Sequence, residues 1–158
     1  MDREALRAEI EAFLAAHHTV SLATTDDAGA PHAANVLYAL DGLALLWMSD
    51  TDTRHSQHIE ARGRVTATVA PDYADFRAIR GLQFFGPARR IVEPLALAGA
   101  RMKMLARYGF LATLANGPAK LRAAYERAGF YRLDPERITL IDNTQGFGHK
   151  ETLELAAT

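Results

Sequence analysis

Between Thr19 and Ser49 three β-rich segments follow one another with only turn residues between them. Thr19 to Thr25 alternates polar and apolar side chains, the two-residue period of a half-buried strand. Asp26-Asp27-Ala28-Gly29-Ala30-Pro31 is turn chemistry. The spacing predicts a second strand over Ala34–Leu40, a tight turn at Asp41-Gly42 and a third strand over Leu43–Ser49. Strands joined this closely pair antiparallel, because a parallel pair needs a crossover of a dozen or more residues. The segment therefore predicts a three-stranded meander and excludes βαβ units.

The flanking sequence completes the outline. Asp2 is placed to cap a helix running to about Ala16, with Leu6, Ile10, Phe13 and Leu14 on one face. Thr53 is placed to cap a short helix over Arg54–Ala61. A fourth strand is expected over Val65–Ala70. A long fifth spans Ile79–Val92, with Gly81 and Gly86 as bend points. Leu95–Tyr108 and Leu111–Arg127 read as helices, the second interrupted by Asn116-Gly117-Pro118. Phe130–Leu133, Arg137–Asp142 and Glu151–Leu155 read as closing strands. The expected fold is mainly β, in one domain over residues 1–158. It has about eight short strands, an N-terminal helix and a helical insert before the closing strands. A small closed or split β-barrel accommodates so many short strands without long exposed edges.

Composition narrows the function. The chain has 158 residues with 18 Lys+Arg and 19 Asp+Glu, a formal net charge of −1. Near-neutrality argues against a nucleic-acid or anionic-membrane partner, since both need a basic surplus or patch. Cysteine is absent, which excludes disulfides, thiolate metal sites, iron–sulfur clusters and Cys nucleophiles. The N-terminus is charged rather than signal-like, and no apolar run approaches a membrane span, so a cytoplasmic protein is expected. No Gly-x-Ser-x-Gly, Gly-x-Gly-x-x-Gly or Walker pattern is present, which argues against hydrolase, Rossmann and P-loop chemistry.

The densest polar cluster is Asp50-Thr51-Asp52-Thr53-Arg54-His55-Ser56-Gln57-His58. Hydroxyls, a guanidinium, an imidazole and the free N–H groups of a helix start suit a phosphate. The plainer reading is a helix cap with a solvated polar face. His55 and His58 share a helix face, but no third ligand follows, so no metal site is assigned. Gln83 alternates with apolar neighbours and either faces solvent or reaches a polar ligand such as a flavin ring edge.

Several short motifs occur in a telling order. They are Leu22-Ala23-Thr24, Gly29-x-Pro31-His32, Asn35-Val36-x-Tyr38, Ser49 to His55, Ile79-Arg80-Gly81-Leu82-Gln83-Phe84-x-Gly86 and Tyr131-Arg132-Leu133-x-Pro135-x-Arg137-Ile138. In this order the chain resembles the pyridoxamine 5′-phosphate oxidase-like, FMN-binding split-barrel superfamily from about Thr19 to Leu155. The resemblance implies a homodimer with FMN at the subunit interface and a small-molecule substrate. Asn35, Val36 and Leu37 would run beside the isoalloxazine ring. Trp47, Met48 and Ser49 would border the ring and ribityl chain. Thr53, Arg54 and His55 would form the phosphate loop, and Gln83 would reach the flavin from the partner subunit. His55 stands where typical members place a lysine, and would supply a second positive charge if the phosphate raises its pKa. In the closing strands Phe147-Gly148-His149 replaces the Arg-x-His of true pyridoxamine phosphate oxidases. Pyridoxal phosphate synthesis is therefore not implied, and the chain looks closer to a poorly characterised branch. His149 is the candidate acid–base residue. The leading reading is a flavin-dependent oxidoreductase. The alternative is a binding module for FMN or haem, since His17, His18, His32, His55, His58 and His149 leave haem ligation open.

Overall fold

The computed structural model describes residues 1–156. Helix α1, Arg3–Ala16, starts where Asp2 accepts a 2.8 Å hydrogen bond from the Ala5 N–H, and it buries Leu6, Ile10, Phe13 and Leu14. Strands β1 (Thr19–Thr25) and β2 (Pro31–Leu37) form a hairpin in register from Thr19↔Leu37 to Thr25↔Pro31. The turn is held by Asp26, whose carboxylate accepts from the Ala28 and Ala30 N–H groups, with Gly29 at φ +81°. Strands β3 (Ala39–Asp41) and β4 (Ala44–Asp50) form a second hairpin around Gly42, at φ +60°.

The expected meander does not form. The predicted second strand is divided at Tyr38, and β2 and β3 lie at opposite ends of the strand order β2-β1-β5-β6-β7-β4-β3. Tyr38 causes the break. Its N–H donates to the His18 carbonyl, its hydroxyl donates to the Leu14 carbonyl at 2.7 Å, and Tyr108 donates to its carbonyl at 2.6 Å. The N–H bond is the last rung of the β1–β2 ladder; the hydroxyl bond ties Tyr38 to the end of α1, and Tyr108 takes its carbonyl. Burial pushes the Tyr38 phenol up to about 12, so it remains a neutral donor.

Helix α2 (Arg54–Ala61) and strand β5 (Arg64–Val69) follow. Strand β6, Arg80–Arg90, organises the barrel. One edge pairs with β5. The other pairs first with β8 (Arg137–Asp142) through Phe85, then with β7 (Ala128–Leu133) from Ala88. The change of partner occurs at Gly86. The β7–β8 connection passes so close that a Cβ on Gly86 would lie 2.3 Å from the Asp134 carbonyl oxygen. Asp134 N–H donates to the Pro87 carbonyl and Glu136 N–H to the Phe85 carbonyl, which fixes that crossing. Strand β9 (Lys150–Glu154) pairs with β8.

The result is the expected mainly β split barrel, with nine strands and five α-helices among the described residues. The main core lies inside the curled sheet under α1, around Leu22, Trp47, Leu82, Tyr131 and Leu140. A second cluster lies outside β3, β4 and β7, beneath the insert helices α3 (Pro94–Arg107), α4 (Phe110–Ala115) and α5 (Ala119–Arg127). Among the described residues no helix is long and apolar enough to cross a membrane.

Candidate functional site

Breaking the chain at Tyr38 has a functional consequence. It brings the end of β2 against the end of β4, although these strands are far apart in the ladder. Between them and the helical insert lies a cleft of about 420 Å³. Asn35, Val36 and Leu37 line it from β2, and Met48, Ser49 and Asp50 from β4. Met104, Tyr108, Phe110, Leu111 and Ala124 close it from the insert. Five residues expected beside a flavin are thus brought together. The insert residues were not singled out in the sequence. Their one legible signal is helical spacing, which puts Met104 and Leu111 on core-facing positions.

Polar groups stand at the cleft's rim. Asn35 Oδ1 accepts a 2.6 Å hydrogen bond from the Ser21 hydroxyl, which leaves its amide NH₂ for a ligand acceptor. Five residues beyond Ser49, α2 begins. The Thr53 hydroxyl caps it, accepting from the Ser56 N–H at 3.3 Å and lying 2.9 Å from the Asp50 carbonyl. Arg54 is exposed at the first turn and has no ion-pair partner among the described residues. A free guanidinium beside a helix N-terminus suits a phosphate.

His55 departs from expectation. Its side chain is buried, with Nε2 2.8 Å from the Ser49 hydroxyl and 3.3 Å from that of Thr53. Burial, reinforced by the nearby His32 and His58, pushes its pKa below the usual histidine value. Burial favours the neutral imidazole, which supports the β4–α2 junction from beneath. It points inward, on the other side of the helix from Arg54. The reason is helical geometry: the cap at Thr53 leaves Arg54 outward and rotates His55, Ser56, His58 and Ile59 inward.

Trp47 is also placed differently. Its indole is fully buried in the main core, stacked 5.9 Å from Tyr131 at 15°, on the strand face opposite Met48. Only its backbone can border the cleft. His58 turns to the Thr24 hydroxyl at 2.9 Å while His55 turns to Ser49. Among the described residues no three His, Asp or Glu side chains converge as metal ligands.

Gln83 and His149 lie outside the cleft of their own chain. His149 precedes β9, where Nε2 lies 3.3 Å from the Glu151 carboxylate. Gln83 lines a separate, open concavity of about 690 Å³ on the outer face of the sheet. That face carries an uncharged polar row. Asn35, Ser21, Thr68, Gln83, Thr139 and Thr152 are consecutive cross-strand partners on six adjacent strands. The row runs from the rim of the cleft to β9. At about 4.8 Å per strand, Gln83 stands roughly 14 Å from Asn35.

Comparison with known proteins agrees with this architecture. The family model described as pyridoxamine 5′-phosphate oxidase matches residues 6–142. The chain belongs to that family. A UPF0306 protein of Photorhabdus laumondii is 29% identical over 144 residues, covering 89% of this chain and 90% of that one. The family's fold recurs in a haem-binding protein from Mycobacterium smegmatis, with TM-score 0.72 and 22% identity, over 94% of this chain and 57% of that one. The chain therefore spans little more than half the length of that protein. A putative pyridoxamine 5′-phosphate oxidase from Listeria innocua matches with TM-score 0.67 and 16% identity, over 87% of this chain and 98% of that one.

Proposed function

We propose that the cleft between β2, β4 and the helical insert holds FMN, and that the protein is a flavin-dependent oxidoreductase acting on a small molecule. The observation that carries this reading is the juxtaposition of an apolar slot with a free Arg54 at the start of α2. Val36, Leu37, Met48 and Leu111 offer apolar surface to a planar ring. The Asn35 amide offers a donor at the rim, and Arg54 with the helix N-terminus offers an anion site five residues past Ser49. Bound FMN supplies hydride chemistry, and the chain supplies position, exclusion of water and charge.

The same reading calls for a two-fold dimer. Gln83 is too far along the polar row to reach the cleft of its own chain, but a second copy stacked on this face would present its own Gln83 there. A central row of hydroxyls and amides, with Arg137, Lys150 and Glu154 beside it, suits such packing.

The competing ligand is haem, which the Mycobacterium relative is named for binding. No imidazole lines the cleft; its soft donors are the thioethers of Met48 and Met104. FMN and haemin titrations separate the two. Trp47, the one tryptophan, sits one residue from Met48 and reports by quenching. The FMN reading expects saturable quenching by FMN, weaker for riboflavin, and a flavin that an added reductant bleaches. A Soret shift with haemin and no response to FMN would establish the haem module instead.

A further inference from the structure

We propose that the outer face of helix α3 docks onto an anionic lipid surface. Successive residues turn by about 100° on a helix, so Leu95, Ala98, Met102, Leu105 and Ala106 share one arc of about 100°. That arc points directly away from Ala100 and Met104, which are buried against the sheet. Leu95 is 90% exposed, Met102 71% and Leu105 44%. The helix is thus apolar on the side facing the protein and again on the side facing out. A surface helix is ordinarily polar there.

The flanks of the ridge are cationic. Arg101 and Lys103 stand about 100° to either side of it. Lys103 pairs with Asp41 at 2.5 Å, and Arg101 has no carboxylate partner among the described residues. Residues 89–132, from the end of β6 through the insert to β7, contain nine Lys or Arg and two Glu. This region carries +7 while the whole chain carries −1, so the remainder carries −8. Arg90, Lys103, Arg127 and Arg132 pair with Glu60, Asp41, Asp50 and Asp134 of the remainder. Arg101, Lys120 and Arg122 have no carboxylate partner among the described residues and give the insert a positive surface that favours a negative one.

Charge and shape select among occupants. A second copy of the same helix would set Arg101 and Lys103 against like charges. The ridge is about 17 Å long, and one such ridge buries far less than the roughly 800 Å² per partner of a stable protein interface. A protruding ridge also needs a groove in a rigid partner, whereas a bilayer interface deforms around it. Apolar side chains flanked by cations match the interfacial helices that lie in the headgroup plane.

The test is flotation of the full chain with vesicles of phosphatidylglycerol and phosphatidylcholine, against vesicles of phosphatidylcholine alone. The protein should float with the anionic vesicles and not the neutral ones. Raising salt from about 0.05 to 0.5 M should reduce the bound fraction several-fold, as screening shortens the reach of the cations. The pair Leu95→Gln and Met102→Gln should reduce binding by about tenfold or more. Both sites are exposed, so an unchanged melting temperature verifies the fold. Arg101→Ala should weaken binding less. No flotation with anionic vesicles overturns the proposal, as does equal flotation of the double variant. Concentration-dependent self-association that the double variant abolishes would assign the face to a second copy and overturn it too.

Discussion

The His55 imidazole lies 2.8 Å from the Ser49 hydroxyl, beneath the junction of β4 and α2. That contact separates two roles that the sequence runs together in Thr53-Arg54-His55. Arg54 faces out and is free for an anion. His55 faces in and holds the strand end that borders the cleft.

A pH dependence of stability follows. His55 has its pKa lowered in the fold, chiefly by burial. The unfolded chain therefore takes up the proton first as pH falls through about 6.5. This contribution is fully present above that value and is lost as pH falls towards the folded pKa. Urea midpoints at pH 8, 6.5 and 5.5 should decline, and His55→Gln should decline less. Parallel profiles would assign the acid sensitivity to other groups.

His55→Lys should not rescue phosphate binding. An ammonium in this buried position should cost about 1–3 kcal/mol of stability. FMN affinity of the native chain should stay nearly flat between about pH 6.5 and 8, because a guanidinium keeps its charge throughout that range. Affinity that rises as pH drops over that range, and a tighter-binding Lys variant, would restore His55 to the phosphate site.

Arg54→Ala should weaken FMN binding by about 1.5–3 kcal/mol, the worth of a charge-assisted hydrogen bond. Riboflavin, which lacks the phosphate, should lose little. Because Arg54 has no ion pair among the described residues, the melting temperature should hold. Equal losses for both ligands would make Arg54 a determinant of cleft shape.

Two glycines should respond oppositely to alanine. Gly86→Ala puts a Cβ within 2.3 Å of the Asp134 carbonyl oxygen, and backbone must shift. A loss of about 2–4 kcal/mol is expected, at the high end for a point substitution. A Cβ on Gly99, inside α3, meets nothing within 4 Å. There alanine should be neutral or stabilise by up to about 1 kcal/mol. Thermal melts of both variants decide whether the strand crossing at Gly86 is as tight as the contact implies.

Dimerisation through the polar row predicts that Thr68→Glu with Thr139→Glu yields monomers with a folded core. These residues flank Gln83 on the neighbouring strands. Sedimentation showing an unaffected dimer would move the interface to another surface.

Much of this protein was decided locally, and those parts were legible. The caps at Asp2 and Thr53, the bounds of α2 and β8, the Asp26 turn and the Gly42 hairpin depend on neighbours within a few residues. Their periods and turn chemistry stand in the sequence. The short motifs also carried the family, because they sit at strand ends and turns where local geometry is strict. Tertiary structure decided the rest. Tyr38 reads as one residue of a continuous strand until the Leu14 carbonyl and the Tyr108 hydroxyl arrive to bind it. Gly86 reads as a bend, but only the passage of Asp134 over it divides β6 between β8 and β7. Trp47 and Met48 are adjacent and apolar, and only the placement of the two cores sends one inward and the other to the cleft. His55 reads as a neighbour of Arg54 in one loop until the turn of α2 sends it inward against Ser49. Charge behaves likewise: the sequence shows nine Lys or Arg between residues 89 and 132, and only the fold decides which of them meet carboxylates. Backbone preference and capping act over a few residues, whereas burial and field depend on groups the chain brings together from far apart.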